Sequence, residues 1–367
     1  MMKFKKQIAG LQAYQPGKTM DEVKKMYNLD KVTKLASNEN PYGASPKVKE
    51  YLNNANVDYA IYPDGYATKL RTAVAQHLNV SEKQLLFGNG SDDNILIVSR
   101  AILQPGLNTV VADITFGQYK HNAVVEGAEV RAIPLTEKGE HDLEKMAEAV
   151  DENTAIVWIC NPNNPTGTLT PSDKIRAFVE KVPSDVLIVL DEAYTEYITD
   201  DTYEGSIGLL EKYPNVLIMR TFSKAYGLAS FRVGYAIGSE EVISQLEPTR
   251  EPFNNTLLSQ EVAIIGLEDQ AFIAECKEKN NAGRAQFEVF CKERNLDFYP
   301  SHTNFILMEV KADSDVVFQG LMKRGFIVRS GNALGKPGYL RITIGTEEQN
   351  TELLQKLDEV LQEEGVL

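Results

Sequence analysis

Two hydrophobic periods divide the chain. Short, nearly unbroken apolar runs at residues 84–87, 110–113, 155–160, 186–190, 216–219 and 233–237 are bounded by Gly, Pro, Asn and Asp. Runs of that length, apolar on successive positions, suit strands covered on both faces, so each is predicted as a strand. Between them the period lengthens to that of an amphipathic helix, over 67–78 and 92–102, and 126–133 reads as an edge strand with its turn. Strands alternating with helices predict an α/β layer structure with a mostly parallel sheet. Pro248 and Pro252 break the pattern, and a long helical period takes over from 257 to 295. Strands at 304–308, 326–328 and 339–345 and helices at 314–324 and 347–363 then predict a smaller α+β domain. A short helical pattern over 20–27 precedes all of this. The expected organisation is an N-terminal arm, 1–35, that packs with the small domain, then a large domain, 36–250, and a small domain, 251–367.

Composition narrows the functional classes. At 367 residues there is room for two cores, and 43% hydrophobic with 25% charged residues is ordinary for a folded soluble chain. A net charge of −14 repels nucleic acid and anionic membrane, so an anionic ligand must be held by a local basic cluster. Three cysteines, Cys160, Cys276 and Cys291, and four scattered histidines give neither a disulfide framework nor a readable metal site. No run approaches bilayer length and no apolar leader follows the first lysines, so a cytoplasmic location is expected.

Candidate chemistry sits where predicted strands end. The run 155–160 ends in Asn161-Pro162-Asn163-Asn164-Pro165-Thr166-Gly167, where two prolines hold an amide rigidly. The run 186–190 delivers Asp191-Glu192-Ala193-Tyr194, and a carboxylate at the end of a buried strand is costly without a cation. Glu192 is read as structural. The run 216–219 leads to Thr221-Phe222-Ser223-Lys224, with Arg232 eight positions on. Thr221, Ser223 and Arg232 form an anion-binding set around the lysine, better matched to a phosphate than to a carboxylate. Amide, carboxylate and lysine thus end three strands, and in open α/β sheets such ends face one ligand crevice.

Gly88-Asn89-Gly90-Ser91 opens a helix whose N-terminus also suits a phosphate, with Asp92 expected as its N-cap. A dinucleotide fingerprint competes here, because Asp113 lies about twenty residues on, but Asp93 occupies the third glycine position. Phe116, on a turn after the next strand, is either a core residue or a face for a planar ring. Arg341, in the middle of an apolar run, is either one half of a buried ion pair or a fork for a ligand carboxylate.

Taken together, Asn-Pro-x-Asn-Pro-Thr-Gly, Asp-Glu-Ala-Tyr, Ser-Lys and Leu340-Arg341-Ile342 resemble the aspartate-aminotransferase-like superfamily of pyridoxal phosphate enzymes, over nearly the whole chain. The resemblance implies fold type I: a large domain with a mostly parallel seven-stranded sheet, plus a smaller α+β domain. It implies that Lys224 carries pyridoxal 5′-phosphate covalently, that Asp191 pairs with the pyridine nitrogen, and that Asn164 and Tyr194 meet the phenolic oxygen. Phe116 would stack on the ring. Ser91, Asp92, Thr221, Ser223 and Arg232 would surround the phosphate, and Tyr62 of a second copy would reach it, making a homodimer with shared active sites. Catalysis would fall to Lys224, Asp191 and Tyr194.

Within the superfamily, the segment Leu35-Ala36-Ser37-Asn38-Glu39-Asn40-Pro41-Tyr42-Gly43, Tyr14 in the arm and Arg329 resemble the branch acting on histidinol phosphate. That implies transfer of the amino group from L-histidinol phosphate to 2-oxoglutarate, giving imidazole acetol phosphate and glutamate. Tyr14, Asn40, Asn164, Arg329 and Arg341 would bind substrate. An aromatic amino-acid aminotransferase is the alternative, and a decarboxylase or lyase on the same fold a more distant one. A cofactor-binding regulatory module would need a DNA-binding domain, for which the arm is too short and insufficiently basic.

Overall fold

The computed structural model describes residues 2–11 and 17–366. Its strands, in chain order, are β1 Thr33–Lys34, β2 Leu85–Gly88, β3 Asn108–Ala112, β4 Glu129–Ile133, β5 Thr154–Cys160, β6 Leu187–Asp191, β7 Val216–Thr221, β8 Gly234–Ile237, β9 Phe305–Glu309, β10 Phe326–Ile327, β11 Arg329–Ser330 and β12 Tyr339–Thr343. Seven of them form one sheet in the order β2-β8-β7-β6-β5-β3-β4. Only β8 runs against its neighbours; the pairs from β7 through to β4 are parallel. The mostly parallel sheet expected from the apolar runs is therefore present.

The reason lies in the alternation of side chains along each strand. Val157 and Ile159 of β5, Ile188 and Leu190 of β6, and Val216 and Ile218 of β7 enter one core. Their alternates Ile156, Trp158, Val189, Leu217 and Met219 enter another. Both faces are covered, so every position must be apolar. β4, the most polar of the seven, takes the edge.

A second, three-stranded antiparallel sheet, β11-β12-β9, packs with helices Gln270–Glu293, Ser314–Lys323 and Glu347–Glu363 around Phe287, Leu321, Leu340, Ile342, Leu353 and Leu357. β1 pairs in parallel with β10, which ties the segment before residue 36 to this smaller unit. Among the described residues no helix is long and apolar enough to cross a membrane.

Three local expectations are corrected. The helical stretch 257–295 is two helices, Leu257–Glu268 and Gln270–Glu293, broken at Asp269. The Asp269 carboxylate binds the Ser45 hydroxyl and lies 3.5 Å from Lys47 Nζ, so a tertiary contact sets the break. The run 326–328 is not one strand: the chain passes from β10 to β11 through Val328, changing partner sheets. Asp92 is not the N-cap of helix Ser91–Ile102; Gly90 is, at φ 79°. The positive φ favours glycine there, and a Cβ at Gly90 would stand 2.5 Å from Arg232 Nη2 and push that guanidinium aside.

Candidate active site

β5, β6 and β7 lie side by side, so their carboxyl ends present Asn164, Asp191 and Lys224 to one crevice. Lys224 Nζ lies 3.3 Å from the carbonyl oxygen of Ser37 and 5.8 Å from the centre of the Tyr194 ring. Burial, reinforced by the charge of Arg341, lowers its pKa to about 8.

Asp191 is 3% exposed. The Tyr119 hydroxyl donates to its Oδ2 at 2.6 Å and the Ala193 amide to its Oδ1 at 3.1 Å. Among the described residues it has no salt-bridge partner, and burial pushes the carboxyl up to about 6. Tyr119 stacks on Trp158 of β5 with ring centres 4.8 Å apart, and Phe116 meets Tyr119 edge-on. Tyr119 carried no role in the sequence reading, since one tyrosine in a helix gives no sign of facing a carboxylate 72 positions away.

The Tyr194 hydroxyl receives the side-chain amide of Asn38 at 3.0 Å and that of Asn164 at 3.4 Å. Burial raises its pKa. Arg341, 8% exposed, donates Nη1 to Asn164 Oδ1 at 2.6 Å and Nη2 to the Ala36 carbonyl at 2.8 Å, with Phe305 under its guanidinium. A chain of contacts therefore joins Arg341 to Asn164 and Tyr194.

Around the start of helix Ser91–Ile102, Arg232 Nη1 donates to Ser223 Oγ at 3.2 Å, and Nη2 donates to the Asn89 carbonyl and lies 3.6 Å from Asp92. No side chain caps this helix, so Ser91 and Asp92 in its first turn stand beside an open N-terminus. Arg232 is itself left-handed, at φ 54°. The buried hydroxyl of Thr221 accepts from the Ser223 amide at 3.1 Å and donates towards the Val233 carbonyl, so it shapes the loop.

Asn40 also has a different immediate duty. Its amide nitrogen donates to the Ala225 carbonyl at 2.8 Å and to Cys276 Sγ, and its oxygen accepts from the Tyr42 amide. It fastens its segment to the lysine loop. Arg329 on β11 stands directly opposite Arg341 on β12. Tyr62 is 78% exposed and stacks on Phe253, 46% exposed, with Ile61 and Tyr66 open nearby. Tyr14 lies outside the described residues.

A half-buried lysine of lowered basicity, a buried carboxylate with no salt-bridge partner among the described residues, and an open helix N-terminus beside an arginine make an active site suited to an anionic ligand that also carries a basic nitrogen. The profile of the aminotransferase class I and II family matches residues 30–357. The chain belongs to that family. It is 61% identical over 365 residues to histidinol-phosphate aminotransferase of Lysinibacillus sphaericus, with all of both chains covered. It is 58% identical over 360 residues to the enzyme of that name from Bacillus subtilis, covering 98% of this chain and 100% of the other. The fold superposes with a TM-score of 0.90 on histidinol-phosphate aminotransferase from Sinorhizobium meliloti in complex with pyridoxal-5′-phosphate, at 27% identity over 99% of this chain and 98% of that one.

Proposed function

We propose that this enzyme uses pyridoxal 5′-phosphate to move the amino group of L-histidinol phosphate to 2-oxoglutarate. The residues fit the cofactor on their own chemistry. Asp191 is buried without a cation and would find one in a protonated pyridine nitrogen. The glycine-lined start of helix Ser91–Ile102, with Ser223 and Arg232, is a phosphate cradle that a Cβ at Gly90 would fill.

When bound, pyridoxal phosphate supplies a carbonyl that links to amines and a ring that accepts electrons. Lys224 would hold it, and an amine of lowered basicity, about 8, suits the same residue to take and return the proton at the substrate Cα. Asp191 would pair with the pyridine nitrogen and favour its protonated form, Asn164 and Tyr194 would orient the phenolic oxygen, and Phe116 would offer a face to the ring.

The observation that carries the substrate reading is the register that sets Arg329 opposite Arg341. Directly opposed residues of an antiparallel pair project from one face, which supports the two guanidiniums acting together at one end of the crevice. Histidinol phosphate has a phosphate dianion and no carboxylate, and two arginines with Tyr14 match it. Arg341 alone then serves the carboxylate of glutamate.

The exposed group Ile61, Tyr62, Tyr66 and Phe253 supports a homodimer in which Tyr62 reaches the neighbouring copy's cofactor phosphate. Such a patch on a water-facing surface marks an interaction site. The division into an arm, 1–35, a large domain, 36–250, and a small domain, 251–367, and a cytoplasmic location complete the reading.

The test is kcat/KM for amino transfer to 2-oxoglutarate from histidinol phosphate, phenylalanine and tyrosine, in wild type and Arg329→Ala. One charge-assisted bond is worth about 1.5–3 kcal/mol, so Arg329→Ala is expected to lose roughly ten- to a hundredfold on histidinol phosphate alone. Equal use of phenylalanine, with Arg329→Ala neutral, transfers the substrate to the aromatic amino acids. Lys224→Ala is expected to have no turnover at all.

A further inference from the structure

Asn38 is 2% exposed and is the meeting point of three parts of the chain. Its backbone is left-handed, φ 59°, a conformation that Asn tolerates better than most residues. Its amide N–H donates to Thr343 Oγ1 at 2.9 Å, and its carbonyl accepts from Asn304 Nδ2 at 2.9 Å. Both partners flank the small sheet: Thr343 ends β12 and Asn304 precedes β9. The Thr343 hydroxyl accepts from the Asn38 backbone and so has its own proton free to donate to Asn38 Oδ1, 3.1 Å away. That assignment fixes the side-chain amide. Its oxygen faces Thr343, and its nitrogen faces the Tyr194 hydroxyl at 3.0 Å.

The consequence falls on Tyr194. Its oxygen accepts from Asn38, and from Asn164 on the other side. A phenol oxygen flanked by two amide donors must send its own proton in a third direction, away from both. The remaining direction is the side of the oxygen that Asn38 and Asn164 leave, and Lys224 Nζ stands over the same ring, 5.8 Å from its centre, so the hydroxyl belongs to the lysine's crevice. Arg341 holds Asn164, and Thr343 stands two residues beyond Arg341 on the same strand. Both donors to Tyr194 are therefore set by one strand of the small unit.

We propose that Asn38 is a positioning residue that aims the Tyr194 proton into the crevice and ties that aim to β12, the strand carrying Arg341. Resting on the cofactor reading above, the proposal makes β12 a reporter: its placement is felt at Tyr194 through Asn38 and through Arg341–Asn164 together. Asn40, two residues on and the more prominent candidate from sequence, has its amide turned to Ala225 and Cys276 and cannot serve in this way.

The test compares Asn38→Asp, Asn38→Gly, Tyr194→Phe and the Asn38→Gly/Tyr194→Phe pair. Asp keeps the left-handed tendency and the acceptor for Thr343 but turns the donor facing Tyr194 into an acceptor. Gly keeps the backbone and removes the side chain. The first readout is the pH midpoint of the visible absorbance of the cofactor-loaded protein. The second is the melting temperature of the cofactor-free protein.

A donor to the phenolic oxygen withdraws charge from the ring system, so losing it raises the midpoint. Asn38→Asp and Asn38→Gly are each expected to raise it by roughly half to one pH unit, the weight of one neutral hydrogen bond. In the pair, Asn38→Gly should add nothing to Tyr194→Phe. Lowered melting temperatures with an unmoved midpoint in both single variants, or full additivity in the pair, would overturn the proposal and leave Asn38 a structural anchor. If Asn38→Gly does not fold, Asn38→Asp decides alone. If Tyr194→Phe itself leaves the midpoint in place, the cofactor reading of Tyr194 fails, and this inference with it.

Discussion

The hydroxyl of Tyr119 donates to Oδ2 of Asp191 at 2.6 Å, across 72 positions of sequence. Helix Gln118–Glu126 supplies the tyrosine, and the stack on Trp158 fixes its ring, so the donor is aimed before any ligand arrives. Hydrogen bonding to a carboxylate favours its charged form and opposes the burial that would otherwise neutralise it. Tyr119→Phe removes that bond, together with the hydroxyl's contact to the Cys160 thiol, and keeps the ring. It should weaken cofactor retention roughly ten- to a hundredfold, the worth of one charge-assisted bond. The dissociation constant measured on dialysed protein decides this, and unchanged retention would remove the role.

Asp191 also predicts a pH dependence in the cofactor-free protein. Its carboxyl rises from the ordinary 3.8 to about 6 on folding, through burial. Between those values the folded chain binds more protons than the unfolded one, so stability falls as pH rises from about 4 to about 6. The loss from this group approaches about 3 kcal/mol by neutral pH. Asp191→Asn cannot titrate. Urea unfolding of both cofactor-free proteins at pH 4 and pH 7 should therefore find the variant gaining on wild type by about that amount. A constant difference between the two pH values would contradict it.

Gly227 lets the lysine loop lie against the segment that precedes the first long helices. It sits at φ 67°, and a Cβ there would stand 1.9 Å from the carbonyl oxygen of Gly43, a backbone atom that cannot swing away. Gly227→Ala combines left-handed strain with this clash, and a loss of at least about 2 kcal/mol is expected. Chemical denaturation measures it. Loosening the same loop should also lower cofactor affinity, because Lys224 is three residues away.

Glu192 and Arg220 join β6 and β7 just below Asp191 and Lys224. The Glu192 side chain is fully buried, and Arg220 holds its Oε2 through Nε at 3.0 Å and Nη2 at 2.7 Å. Removing one member takes away the other's direct ion-pair partner in a buried site, leaving Arg220 with Tyr235 and the charge of Glu196, or Glu192 with the Tyr203 hydroxyl; breaking a buried pair costs up to about 3–5 kcal/mol. Glu192→Gln should lose stability on that scale, while Glu192→Gln/Arg220→Met should lose clearly less. Denaturation midpoints of the three proteins separate these outcomes, and additive losses would rule out the coupling.

Much of this enzyme was legible before any coordinates. The apolar runs at 155–160, 186–190 and 216–219 became β5, β6 and β7, because a strand buried on both faces must be apolar throughout. The polar residues that end these runs, Asn164, Asp191 and Lys224, were visible as exceptions to that rule. Helix 257–295 was misread because local periodicity cannot show that Asp269 finds Ser45 and Lys47 far back in the chain. The strand at 326–328 divides for a related reason: its first half joins β1, almost three hundred positions back, while the residues after Val328 turn to β12 close by, and local periodicity does not show the change of partner.

By itself, then, the sequence determined the strands of the large sheet that carry the site, their order of chemistry and the family, since these follow from runs and motifs of a few residues each. Only the tertiary structure decided that Tyr119 meets Asp191, that Asn38 rather than Asn40 meets Tyr194, and that Arg329 stands opposite Arg341. Hydrogen bonds act over about 3 Å and are indifferent to sequence separation, so no local pattern encodes which distant side chains come within that reach.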